Sequence, residues 1–350
     1  NVFNRDNNND SNNDDCIIDP YNMQKCDIPI LRNELRNAFM DSTNEFNDPQ
    51  PLIGSTVRLV FQDCGGPDSD LTANEYTCNG CIDINNEFHN GLYQDAIILL
   101  DDVYYGEYGT NWSRKMSRSD LWAAAGTIGL EIAVENDIKN SDTLGIIPFY
   151  FGRIDCDTSP LTNEGNAIYP NPDRGWTETS KWFNEHFNFT EIETVAIMGA
   201  HSLGRAHINY TGYQNSWLSI TNTLSNLYYE QIIAKGWVQE QVPLSSKYQW
   251  YSEDENKNIE YNTLSMNCDI SLFIDINEYL NTTTGQVLCS HPNSENSQYI
   301  PCNSQSNIEN IILNYRDNNQ MFLNHFNIAW NKMITNGYDI INDNLTVIIP

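Results

Sequence analysis

Two segments of the chain carry side chains that could support chemistry at a metal centre. Residues 195–207, VAIMGAHSLGRAH, place His201 in an apolar stretch, and residues 57–64, VRLVFQDC, contain Arg58 and Gln62. An imidazole can ligate iron when an acceptor on its second nitrogen fixes its orientation, and a guanidinium keeps its charge and can stabilise a developing anion. A single histidine on an apolar helix is more often a packed core residue, so further motifs have to decide between these interpretations.

Further motifs accompany these two segments along the chain. They are SRSDLWA at 117–123, FGRID at 151–155, GYQNSW at 212–217, SMNCDISLFID at 265–275 and the pattern F-x3-F-x2-A at 322–329. Together they resemble the plant-type haem peroxidase superfamily, which includes cytochrome c, ascorbate and lignin peroxidases. The resemblance covers roughly residues 28 to 337 and implies a mainly α, two-lobed helical fold with a haem crevice between the lobes.

The resemblance implies a role for each matching residue around a haem b cofactor. His201 matches the histidine that ligates the iron, and Asp269 matches the carboxylate that accepts from its second nitrogen. Trp217 lies 16 residues after His201, which is the spacing of the tryptophan beneath that histidine in cytochrome c peroxidase, so it could hold a radical or relay an electron. Phe61 is expected to border the haem.

Gln62 stands where the resembling family has its distal catalytic histidine. That histidine takes a proton from hydrogen peroxide and returns it to the departing oxygen, while an arginine, matched here by Arg58, stabilises the developing charge. A glutamine amide has no accessible pKa, and losing a general base costs about 10²–10⁴ in rate, so we expect slow or negligible peroxide turnover. His89 falls where the family has an asparagine behind the distal residue, and we interpret it as a structural histidine. The loop at 167–170, AIYP, also differs from the family's Arg-Leu-Pro loop at the haem propionates.

Metal sites other than haem have weaker sequence support. The resemblance places a possible distal calcium at Asp63, with Asn79 and Cys81 as weaker matches, although a cysteine is a poor ligand for a hard cation. Disulfides at Cys64, Cys78 and Cys81 could replace that ion, and a solvated acidic surface is the alternative interpretation. The spacing CxxC at 78–81 also allows a zinc or redox site, but no second CxxC accompanies it, which favours disulfide bonding.

Helical periodicity dominates the chain and predicts a mainly α protein with a single core. Strand-like alternation is sparse. We expect residues 1–27 to be a polar Asn/Asp-rich arm, 28–337 the peroxidase-like domain and 338–350 a tail. Within the domain, helices are predicted at 31–40, 92–105, 119–133 and 321–334, and a capping box at 190–193 begins the helix that leads to His201.

Composition limits the partners and compartment of the protein. Eighteen basic and 47 acidic side chains give a net charge of −29, which disfavours nucleic acid, and no stretch has the ~20 apolar residues of a membrane span. Nine cysteines and six N-glycosylation sequons (Asn9, Asn111, Asn188, Asn209, Asn281 and Asn344) favour a secreted, extracellular glycoprotein. The odd number of cysteines leaves one thiol free or paired to another molecule.

Two functions remain open from the sequence. One is a haem-binding peroxidase relative that reacts slowly with hydrogen peroxide and a small reductant. The other is an inactive pseudo-peroxidase that serves as a structural subunit of an extracellular filament or matrix and assembles through the N-terminal arm. A zinc- or calcium-binding module without haem is the weakest interpretation.

Overall fold

Helices form most of the regular structure of the chain, which confirms the mainly α prediction. A computed structural model describes residues 19–44, 47–65, 77–138, 141–156, 169–253, 263–295, 299–304, 306–338 and 346–348. Its α-helices are α1 (Asp27–Asp41), α2 (Leu52–Gly65), α3 (Ile98–Tyr105), α4 (Arg118–Glu135), α5 (Trp176–Phe187), α6 (Glu191–Met198), α7 (Ile208–Thr211), α8 (Leu227–Ala234), α9 (Asn267–Ile270), α10 (Ser306–Asp317) and α11 (Asn319–Ile334). None of the helices in these ranges has the length and apolar character that a membrane span requires.

Helices α2, α4 and α11 meet at the centre of the main core. The Ser117 hydroxyl caps α4 by accepting from the N–H of Asp120 at 3.1 Å, and nearly every residue of the helix is buried. At Gly126 an added Cβ would lie 2.8 Å from both Val60 of α2 and Trp330 of α11. Because no larger residue fits, glycine at this position lets the three helices pack at close range.

The strands are short and antiparallel. They are β1 (Phe149–Phe151), β2 (Trp237–Gln241), β3 (Tyr248–Ser252), β4 (Leu264–Ser265), β5 (Ile274–Asp275), β6 (Asn303–Ser304) and β7 (Thr346–Ile348). β2, β3 and β4 form one sheet in that order, β5 pairs with β6, and β1 pairs with β7. Part of the predicted C-terminal tail therefore returns to the domain as a strand.

The prediction of a single core was wrong, because a second hydrophobic cluster lies beside the three-stranded sheet. It is separate from the main core and consists of Trp237, Trp250, Ile270, Ile274, Ile276, Val287, Cys289 and Cys302. The sequence does not predict this cluster, because β3 is buried on both faces and lacks the alternation of a half-buried strand.

The predicted helices are present with shifted boundaries. α1 begins at Asp27, before the expected residue 31. The helix predicted at 92–105 opens with a π-helical turn, Tyr93–Ile97, before α3. The capping box before α6 is formed as predicted, with the Thr190 hydroxyl and Glu193 carboxylate bonded to each other's backbone N–H groups. Residues 1–18 of the predicted polar arm lie outside the described residues.

Candidate functional site

His201 lies in a 3₁₀ turn directly after α6, and its side chain borders a cavity. α6 ends at Met198 and tightens into a 3₁₀ turn, Gly199–Ser202. At Gly199 an added Cβ would lie 2.5 Å from the Phe322 ring, so α11 fixes this turn from behind. The His201 side chain remains 35% exposed and lines the cavity.

Asp269 is the centre of a hydrogen-bond network beneath His201. Its Oδ1 accepts from His201 Nδ1 at 2.7 Å and from the Tyr228 hydroxyl at 2.6 Å. Its Oδ2 accepts from Trp217 Nε1 and from the N–H of Met266, both at 2.8 Å. The sequence therefore paired His201 with Asp269 correctly, and Trp217 joins them, with its ring stacked on the imidazole at a centroid distance of 4.4 Å and 23° between planes.

This network fixes the charge of Asp269 and the tautomer of His201. Complete burial would raise the pKa of Asp269, but His201 and the hydrogen-bond donors outweigh it and hold the pKa below its usual value. Burial next to the same carboxylate raises the pKa of Tyr228 well above the ordinary range. Because an ionised carboxylate only accepts, His201 carries its proton on Nδ1. Its Nε2 has no partner among the described residues and is available to a ligand in the cavity.

The cavity has a volume of about 1270 Å³, which exceeds the ~300–1,000 Å³ of ordinary small-molecule pockets. Helix α2 supplies Arg58, Phe61 and Gln62 to its wall, and the segment around His201 and Trp217 supplies another part. The structure therefore brings all the predicted haem-contacting residues to one cavity.

Gln62 is the unusual member of the α2 wall. The residue is only 7% exposed, and its Oε1 has no hydrogen-bond partner among the described residues. Buried acceptors are normally satisfied, so this oxygen is a position where a protic ligand would be held. Phe61 beside it packs against Trp182 and Phe183, at centroid distances of 5.6 and 6.0 Å.

Arg58 is held by main-chain carbonyls. Nη1 donates to the oxygen of Asn90 at 3.0 Å and Nη2 to that of Phe88 at 2.7 Å. Burial lowers the pKa of Arg58, and nearby Asp95 opposes that shift. The guanidinium thus borders the cavity in an orientation set by the segment that surrounds His89.

His89 lies behind the α2 wall and does not line the cavity. Its Nδ1 is 2.8 Å from the main-chain oxygen of Asp83 and its Nε2 is 2.9 Å from the Tyr169 hydroxyl. That hydroxyl also donates to the main-chain oxygen of Gln62 at 2.8 Å. His89 thus has the buried, hydrogen-bonded environment expected of a structural histidine.

The described residues at the predicted calcium position do not fit a cation. Asp63 Oδ1 accepts from the N–H groups of Asn79 and Gly80 at 3.1 and 2.9 Å, and burial raises the pKa of this carboxyl to about 8. Cys81 is bonded to Cys156 and is no metal ligand. No group of three or more His, Cys, Asp or Glu side chains that could hold a metal ion occurs within the described ranges. Residues 66–76, which follow α2, lie outside them.

The disulfides settle the interpretation of the CxxC motif. Cys64 pairs with Cys78 and Cys289 pairs with Cys302, so Cys78 and Cys81 belong to different bridges. Cys268 is a buried free thiol. The CxxC therefore forms no zinc or redox pair.

A statistical model of the peroxidase family matches residues 31–292 of the chain, which is more than half of its length. The chain belongs to the peroxidase family. The matched range includes both His201 and helix α2, which forms one wall of the cavity.

Curated relatives agree with membership of the peroxidase family. The chain is 28% identical over 241 residues to a Candida albicans protein named as a heme-binding peroxidase, an alignment that covers 67% of this chain and 73% of the relative. It is 28% identical over 232 residues to a similarly named Yarrowia lipolytica protein, covering 65% and 69%. A mitochondrial cytochrome c peroxidase of Yarrowia lipolytica is 24% identical over 198 residues, covering 55% and 45%.

Two tyrosines of the site were not assigned a role from the sequence. Tyr228 donates to Asp269 from α8, and the only signal available was a Tyr-Tyr pair on an apolar helix. Tyr169 lies in the loop that departs from the resembling family, and its contacts with His89 and with the main chain of Gln62 depend on packing against α2. Neither contact follows from a spacing within the sequence.

Proposed function

We propose that this protein is a haem-binding member of the peroxidase family in which His201 ligates the iron. The observation that carries this proposal is the contact of His201 with Asp269 and Trp217 below a large cavity. The names of the relatives from Candida albicans and Yarrowia lipolytica support the same cofactor.

The residues of the cavity suit a haem. His201 Nε2 would ligate the iron, Asp269 would strengthen that nitrogen as a donor through Nδ1, and Gln62 Oε1 is an acceptor with no partner among the described residues. Haem, when bound, supplies an iron that exchanges electrons with hydrogen peroxide and with a reductant. Trp217, which stacks on His201 and shares its carboxylate, is the side chain placed to pass an electron between this centre and the protein.

The proposed reaction with hydrogen peroxide is slow because the α2 wall lacks a base. Arg58 can stabilise negative charge on an oxygen in the cavity. Gln62 can orient a protic ligand through Oε1, but it neither removes nor returns a proton near neutral pH. Binding and orientation are therefore retained while proton transfer is lost.

Absorption spectroscopy after reconstitution with haem b tests the cofactor proposal. We expect a Soret band for the unchanged protein, and a lost or shifted band for His201→Ala because this variant lacks the imidazole that would ligate the iron. His325→Ala is the matched control, since this histidine bonds to Tyr315 outside the cavity. A band unaffected by His201→Ala, or no haem uptake by the unchanged protein, would refute the proposal and favour the pseudo-peroxidase alternative.

We also propose that the protein is secreted and carries N-glycans. The three described disulfides suit an oxidising compartment. Four sequon asparagines in the described ranges, Asn111, Asn188, Asn209 and Asn281, are all exposed. Expression in a eukaryotic secretory host with mass spectrometry before and after glycosidase treatment tests this; unmodified protein would contradict it.

The structural-subunit alternative depends on the N-terminal arm, which lies outside the described residues. Deletion of residues 1–15 followed by sedimentation analysis tests it. Assembly that persists without these residues would exclude the arm as the assembly element.

A further inference from the structure

His89 and Tyr169 form a buried hydrogen-bonded pair behind the α2 wall. Each of the two residues is 5% exposed, and their rings meet edge to face at a centroid distance of 5.4 Å. The Tyr169 hydroxyl reaches both His89 Nε2, at 2.9 Å, and the main-chain oxygen of Gln62, at 2.8 Å. The pair therefore connects the segment around residue 89 to the turn of α2 that carries Gln62.

The neutral pair has one proton fewer than its contacts require. The oxygen of Asp83 only accepts, so His89 Nδ1 must carry a hydrogen. The single O–H of Tyr169 then faces two acceptors, His89 Nε2 and the Gln62 oxygen, and can serve only one. A proton on Nε2 would satisfy all three contacts, because His89 would donate to Tyr169 and Tyr169 to Gln62.

Burial and charge act against that extra proton. Burial lowers the pKa of His89, Arg58 on α2 lowers it further, and Asp83 on the neighbouring turn raises it. The contacts that favour protonation and the environment that opposes it therefore compete at one imidazole.

Arg58 is tied to the same segment. Its two hydrogen bonds go to the carbonyls of Phe88 and Asn90, which flank His89 on either side. Arg58 and Gln62 are four residues apart on α2, about one helical turn. The segment 88–90 thus holds the Arg58 side chain, and Tyr169 holds the main chain of Gln62, at two of the polar positions that α2 presents to the cavity.

We infer that His89 and Tyr169 are positioning residues that hold Arg58 and Gln62 in one of two arrangements according to whether His89 Nε2 carries a proton. In the protonated state both Tyr169 bonds form and the imidazolium repels Arg58. In the neutral state one Tyr169 bond is lost and the repulsion disappears. The proton equilibrium belongs to the protein without cofactor, whereas its effect on cavity ligands rests on the proposed function.

Histidine NMR titration of the protein without haem tests the pair directly. We expect His89 to titrate below its ordinary pKa, and Tyr169→Phe to lower that pKa further by about one unit because the charged form loses a hydrogen bond to oxygen. Tyr104→Phe is the matched control, since it removes a buried hydroxyl that bonds to Met116 instead. An unchanged His89 pKa in Tyr169→Phe, or a His89 that stays neutral wherever the protein is folded, would overturn the inference.

Cyanide affinity of the haem-loaded protein, measured against pH, tests the effect on the cavity. We expect an inflection at the pKa of His89 in the unchanged protein and its loss in His89→Gln. His325→Gln should keep it. If haem is not taken up, the proposed function fails, while the NMR titration still tests the His89–Tyr169 pair. If haem binds and His89→Gln keeps the inflection, the inference about His89 fails and the proposed function stands.

Discussion

Replacing Gln62 by histidine should restore the base that the α2 wall lacks. Gln62 lines the cavity, and its buried Oε1 has no partner within the described ranges, so replacing it by an imidazole breaks no side-chain hydrogen bond of that oxygen with a described residue. Tyr169 bonds to the main-chain oxygen of this residue, and the substitution leaves that contact in place.

The expected gain follows from what would orient the new imidazole. General-base catalysis contributes about 10²–10⁴ in rate. His89 Nε2 is engaged with Tyr169, so the introduced histidine lacks a partner that fixes its tautomer. We therefore expect the lower end of the range, a gain of about 10², or about 2.7 kcal/mol in activation free energy.

Stopped-flow measurement of the second-order rate with hydrogen peroxide, followed at the Soret band, checks this prediction. Gln62→Leu is the control, because it fills the site without a base. In Gln62→His the rate should fall as the pH drops through the imidazole pKa, about 6.5 when unperturbed, since only the neutral form accepts a proton. Equal rates for the histidine and leucine variants, or an unchanged protein already as fast as Gln62→His, would refute the reasoning.

Three further predictions concern stability, and unfolding by urea measures each of them. Asp269→Asn should lower the unfolding free energy by about 3–5 kcal/mol because it breaks a buried charged network, whereas exposed Asp317→Asn should leave it nearly unchanged; equal effects would contradict the network. Burial lowers the pKa of His291 to about 4, below its unfolded value of about 6.5, so between these two pH values the unfolded chain binds one more proton than the folded chain. The contribution of His291 to the unfolding free energy should therefore be complete above pH 6.5 and fall by roughly 2–3 kcal/mol as the pH drops towards 4. His291→Gln should remove that part of the pH dependence, and an unaltered profile would exclude His291 as its source. Gly199→Ala should cost about 1–3 kcal/mol, since the added methyl would meet Phe322 at 2.5 Å; an unchanged midpoint would show that α11 can move.

The sequence predicted the group formed by His201, Trp217 and Asp269 because each of these residues lies in a local motif. His201, Trp217 and Asp269 each lie in a segment whose residue types match a family pattern, and the structure joins them in one network. Gln62 was also recognised, because a missing histidine in an otherwise matching segment is visible without coordinates.

The parts that were missed depend on contacts between distant segments. Tyr228 reaches Asp269 only through the placement of α8, and Tyr169 reaches His89 across 80 residues of chain. The three-stranded sheet was missed because a strand buried on both faces has no period of two. The second hydrophobic cluster contains side chains of β2 and β3, so it was missed for the same reason.

The carboxylate of Asp269 ties together four parts of the chain: the 3₁₀ turn of His201, the loop of Trp217, helix α8 and the turn at Met266. Such a receptor is preorganised, because folding itself has already paid the entropy of orienting the imidazole. His201 Nε2, the nitrogen that would bind the iron, is therefore oriented before any haem is present, and loading should proceed without refolding of the chain.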